Sequence, residues 1–103
     1  MLTVIKRGVM EYESIHNYYE KPVIEYAHAK LGAQQAPDRL ADIVCVALNH
    51  LPPRYIRYDV DMTFYLSPQE ANEMAAKIAT AVEKAITLVE QREAERSKKT
   101  PFY

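Results

Sequence analysis

Arg54, Tyr55, Arg57 and Tyr58 bring two guanidiniums and two phenol rings into one short stretch. A guanidinium forks onto phosphate oxygens and stacks on flat rings, and tyrosine offers a stacking face with a polar tip. Together they suit a planar, anionic ligand. Just upstream, Asp38, Asp42, Cys45 and Asn49 recur at i, i+4, i+7 and i+11. At ~100° per residue they form a narrow polar stripe along a helix. Asp42 can accept hydrogen bonds from a ligand or partner, and Asn49 can read a polar ligand edge. The candidate ligand-binding set is therefore Asp42, Asn49, Arg54, Tyr55 and Arg57. Plainer roles compete with it. Asp42 can lie on a solvated face or pair with Arg39 or Lys30. Asn49 can close its helix. Strand parity places Tyr58 with Ile56 and Val60, toward a core.

The remaining reactive side chains form no catalytic or metal pattern. His16, His28 and His50 share no helical face with a carboxylate at ligand spacing, so surface or capping roles are expected. Cys45 lies in the polar stripe with no adjacent base or cation, as a small packing residue does. No Ser-His-Asp order, phosphate-binding glycine loop or paired catalytic carboxylates occur. The expectation is a binding protein, not an enzyme, with no cofactor.

The elements that position these residues follow from periodicity. Leu40, Ile43, Val44, Ala47, Leu48 and Leu51 repeat at three- and four-residue spacing, the apolar arc of an amphipathic helix. Pro37 fits its first position, with Asp38 in the first turn where the helix dipole favours negative charge. Pro52 and Pro53 remove two donors and force a turn. Upstream, Ser14 to Leu31 reads as a helix capped by Ser14, kinked or broken at Pro22 and stopped by Gly32. Downstream, Tyr55 to Leu66 alternates without a break, which predicts an extended strand. Leu2 to Ile5 is β-prone, as an edge strand or a frayed end. Ser67-Pro68-Gln69-Glu70 is a capping-box start. Behind it Ala71, Met74, Ala75, Ile78, Ala81 or Val82, Ala85, Ile86 and Val89 form the stripe of a helix running to about Arg92.

Composition bounds the class. The chain has 103 residues and 49% hydrophobic content, which suits one globular domain. It is read as a single domain over 1–103, with an N-terminal extension at 1–13 and a charged, fraying tail at 93–103. A net charge of −1 gives no reason to expect DNA or RNA binding. One cysteine excludes an internal disulfide and a multi-cysteine metal site. No stretch approaches the roughly 20 apolar residues of a membrane helix. MLTVIKRGVM is too soon charged for a secretory signal, so a cytoplasmic protein is expected.

At the double proline the sequence also resembles a known family. Asp42-Ile43, Ala47-Leu48-Asn49, Leu51-Pro52-Pro53 and Tyr55 are similar to the ALNxLPPxY signature of the ComFB family, named for a late competence protein. Asn17, Glu20 and Val23 resemble its N-x-x-E-x-x-V helix. The resemblance covers about residues 14 to 66, with the last helix agreeing in character only. It implies a small, mainly helical homodimer that acts as a receptor for cyclic dinucleotides, chiefly cyclic di-GMP. It implies regulation of motility, pili, biofilm or competence through a protein partner, without catalysis. Some relatives carry a zinc-binding cysteine cluster, which this chain cannot build from Cys45 alone.

The expected fold is thus mainly α with a short β element, a single-domain homodimer whose Tyr55–Leu66 strands pair between subunits. The two-fold symmetry of such a dimer can match that of a cyclic dinucleotide. Arg54 and Arg57 suit phosphates or guanine faces, Asp42 a guanine N–H edge, and Tyr55 stacking. A protein–protein adaptor working through the last helix and the strand edge is the alternative.

Overall fold

The computed structural model describes residues 14–99. Its elements run β1 (His16–Asn17), α1 (Glu20–Leu31), α2 (Pro37–Asn49), β2 (Tyr55–Ile56), α3 (Val60–Tyr65) and α4 (Pro68–Lys99). The architecture is mainly helical with one two-stranded antiparallel sheet, in which His16 faces Ile56 and Asn17 faces Tyr55. The β-prone run from Leu2 to Ile5 lies outside the described residues. No described helix is long and apolar enough to cross a membrane.

Helix α2 is the centre of the packing, against α4 on one side and α1 on the other. Pro37 occupies its first turn as expected, and its buried residues are Ile43, Val44 and Ala47. The helix closes tightly: His50 N–H donates to Ala47 O at 3.0 Å and Leu51 N–H to Leu48 O at 3.2 Å. These short bonds satisfy carbonyls that the following prolines cannot. Leu51 is buried at the end, with Val23 and Ala27 of α1 and Met74, Ile78, Ala81, Val82, Ala85 and Val89 of α4 completing the core. The alanines let the helix axes approach closely. Ala71 and Ala75, counted into the α4 stripe from spacing, stay exposed.

Three expectations are corrected. First, α1 begins at Glu20, not Ser14. Pro22 is its third residue, where a missing N–H costs nothing, since the first four donors of a helix have no partner. A helix continued upstream would drive the Pro22 ring into the carbonyl of residue 18. The chain instead bends at Asn17, whose side-chain Oδ1 accepts the Tyr19 N–H at 3.2 Å, a local bond that competes with helix.

Second, the predicted strand from Tyr55 to Leu66 is reduced to Tyr55–Ile56, and Val60–Tyr65 is helical. The only described strand beside it, β1, is two residues long. Past Ile56 the backbone donors therefore find local acceptors: Asp61 N–H bonds Tyr58 O at 3.0 Å, Met62 N–H bonds Asp59 O at 3.1 Å, and Leu66 N–H bonds Met62 O at 3.0 Å. Period-two alternation hides an i, i+4 pair here, and Met62 with Leu66 is the pair that turns inward, at 3% exposed and partly buried. Tyr58, Val60 and Phe64, read as core-facing, are exposed.

Third, α4 does not stop near Arg92 but continues to Lys99. Strong helix formers fill this last part, and Glu93 is tied to α2 by Arg39. The α4 start follows the capping-box expectation: Glu70 N–H donates to Ser67 Oγ at 3.1 Å and Ser67 N–H to Glu70 Oε1 at 3.3 Å.

Candidate functional site

The structure divides the predicted site residues between two places. Arg54, Tyr55 and Arg57 form a corner where the chain leaves α2. Asp42 and Asn49 line a groove between α2 and α4, and the corner residues do not line it.

The corner is held by its main chain, which leaves its side chains outward. Asn17 is buried, and its Oδ1 accepts the Arg54 N–H at 2.9 Å as well as the Tyr19 N–H. Arg54 O in turn accepts the Tyr18 N–H at 2.6 Å. These bonds and the Asn17–Tyr55 register clamp β2 to β1. Tyr55 and Tyr58 are exposed, at 67% and 53%. The Arg57 guanidinium lies 5.0 Å from the Tyr58 ring centroid, within cation–π range, and its Nε donates to Ser14 Oγ at 3.1 Å.

Beside the corner, His16 bridges β1 to the start of α3. Its Nε2 is 2.6 Å from Asp59 Oδ1 and its Nδ1 is 2.8 Å from Ser14 O. Both ring nitrogens face acceptors, so only the imidazolium satisfies both. The Asp59 carboxylate, with help from the Ser14 carbonyl, holds the His16 pKa above 6.5. His50, by contrast, closes α2, with Nδ1 2.8 Å from Val46 O. Among the described residues no group of three or more His, Cys, Asp or Glu could hold a metal ion.

The groove has a volume of about 310 Å³ and is lined by Asp42, Cys45, Val46 and Asn49 of α2 and by Val89, Arg92, Glu93 and Arg96 of α4. The polar stripe read from the sequence thus stays solvent-exposed and forms one wall of the groove, although Asp38 does not reach it. Asp42 is not paired with Arg39. The Arg39 guanidinium instead forks onto Glu93, at 2.9 and 3.3 Å, and onto Gln35 Oε1 at 2.8 Å. That clamp raises the Arg39 pKa and occupies Glu93. Asp42 and Arg92 are left without a hydrogen bond or ion pair among the described residues. Arg92 and Arg96 escaped the sequence reading. Their signal was spacing, since Val89, Arg92 and Arg96 share one face at i, i+3 and i+7, but nothing in the sequence says that this face meets Asp42.

Comparison with known proteins agrees with the motif. The family model described as "Late competence development protein ComFB" matches residues 16–93. No curated protein and no solved structure matches the chain.

Proposed function

The chain belongs to the ComFB family, which suggests a competence-related role, and from that premise we propose that it is a non-catalytic receptor for a cyclic dinucleotide, cyclic di-GMP foremost. The protein acts as a homodimer and relays occupancy to a regulatory partner in motility, pili, biofilm or competence. The observation that carries this reading is the corner itself. Its main chain is pinned by Asn17, while Arg54, Tyr55, Arg57 and Tyr58 stay exposed. Exposed rings interleaved with guanidiniums are what stacked bases and phosphates require, and a rigid backbone lowers the entropic cost of binding.

Calorimetric titration with cyclic di-GMP, cyclic di-AMP and GTP tests the proposal. Heat with a cyclic dinucleotide at micromolar concentration is expected. Silence with both, up to high micromolar, removes the receptor reading.

One feature favours a second reading, the protein–protein adaptor. Tyr55, Tyr58, Val60, Phe64 and Tyr65 are all more than half exposed. Large apolar side chains gathered in one short segment mark interaction surfaces. If no nucleotide binds, this segment and the long α4 become the working surface.

A further inference from the structure

The groove between α2 and α4 carries chemistry that the corner lacks. Its two carboxylates are not equivalent. Glu93 is engaged by Arg39, whereas Asp42 has no partner among the described residues. The Asp42 carboxylate only accepts and the Arg92 guanidinium only donates. Val46 and Val89 add apolar surface to the lining, and Asn49 adds an amide that both donates and accepts. The volume of about 310 Å³ is at the small end of ligand sites, which run from about 300 Å³ upward. It suits a base with its sugar, not a whole dinucleotide.

Resting on the receptor reading above, we propose that this groove is the base-reading subsite, and that Asp42 makes it select guanine. Guanine presents N1–H and N2–H₂ side by side on its Watson–Crick edge, and one carboxylate accepts from both. Adenine presents the N1 lone pair there, which faces the carboxylate without a hydrogen. Arg92 donates to guanine O6 and N7 or to the adjoining phosphate, both acceptors. A bidentate contact of this kind discriminates between bases by about tenfold or more.

Cys45 makes the test direct. It is the one cysteine of the chain, is exposed, and lines the groove. The rate at which an aromatic disulfide reagent modifies the unaltered protein is measured with and without cyclic di-GMP. With ligand at ten times its Kd, an occupied groove slows Cys45 modification about tenfold. In parallel, Asp42→Asn is expected to weaken cyclic di-GMP about tenfold or more while leaving cyclic di-AMP unchanged. Arg92→Ala is expected to weaken both dinucleotides if it holds phosphate, and cyclic di-GMP alone if it reads the base. Asp42 and Arg92 are exposed, so the variants fold, which circular dichroism verifies. Binding by wild type with no Cys45 protection and no change in Asp42→Asn overturns the guanine subsite and leaves the receptor intact. Absence of any cyclic-dinucleotide binding by wild type overturns both.

Discussion

Asn17 Oδ1 accepts the Arg54 main-chain N–H at 2.9 Å across 37 residues of sequence. The same oxygen accepts the Tyr19 N–H, so one buried amide fixes both the turn before α1 and the exit from α2. Asn17→Ala leaves two donors without their acceptor. The expected loss is about 2 kcal/mol, within the usual penalty for unsatisfied buried groups. Urea denaturation measures it. A change below about 0.5 kcal/mol would mean that water replaces the amide.

Arg54 and Arg57 differ in what holds them. Arg57 is shared between Ser14 and the Tyr58 ring. For Arg54 the bonds in hand are those of its main chain. If both neutralise phosphates, each Arg→Ala change weakens cyclic di-GMP by about 1.5–3 kcal/mol, and affinity falls with added salt. Arg54→Ala is expected to leave the melting temperature unchanged, since its side chain is exposed. Two variants that bind as wild type does would make the corner purely structural.

His16 makes stability depend on pH. Its folded pKa is raised above 6.5 by Asp59 and the Ser14 carbonyl. The folded state therefore holds the proton more tightly than the unfolded chain. The contribution is complete below the unfolded value and is lost as pH rises through the folded one. Denaturation midpoints measured from about pH 5.5 to 8.5, the range in which histidine titrates, are expected to fall toward the alkaline end. His16→Gln and Asp59→Asn should each flatten that fall. A wild-type slope that survives both substitutions would assign the effect to another group.

Local signals were legible in the sequence and tertiary partners were not. Pro37 marks a helix start by its fixed φ and missing donor, and the Ser67–Glu70 box by bonds across three residues, so both local signals read correctly. Pro22 misled because the same residue suits a first turn or breaks an interior, and the Asn17 side chain, bonded to the Tyr19 and Arg54 N–H groups, holds the chain in the first arrangement. Val60 to Leu66 alternated as a strand should. A strand needs a partner, however, and β1 offers only His16 and Asn17, so local bonds won. Asp42 and Asn49 were recognised as a stripe, but their neighbours Arg92 and Arg96 come from a helix that packs there only in three dimensions. For Asp42 a solvated face and a pair with Arg39 or Lys30 were both open from the sequence; Arg39 pairs across with Glu93, and Asp42 stays exposed.

The same segment sets the last prediction, a homodimer. An extended strand pairing between subunits is not what Val60–Tyr65 forms, so that route is replaced by side-chain burial. Phe64 and Tyr65 are 79% and 77% exposed, with Val60 at 56% and Tyr58 at 53%. Two rings nearly bare on one short helix leave a large apolar area in water, at about 25 cal/mol per Å². A two-fold contact would bury the same area on both copies and close without further growth. Sedimentation equilibrium at micromolar concentration is expected to give twice the 11.9 kDa chain mass. Phe64→Lys, which removes no contact from the core, is expected to yield a folded monomer with an unchanged circular dichroism spectrum. A wild-type monomer at that concentration would refute the dimer. A Phe64→Lys protein that stays dimeric would place the interface elsewhere, leaving the α3 face to a partner of another kind.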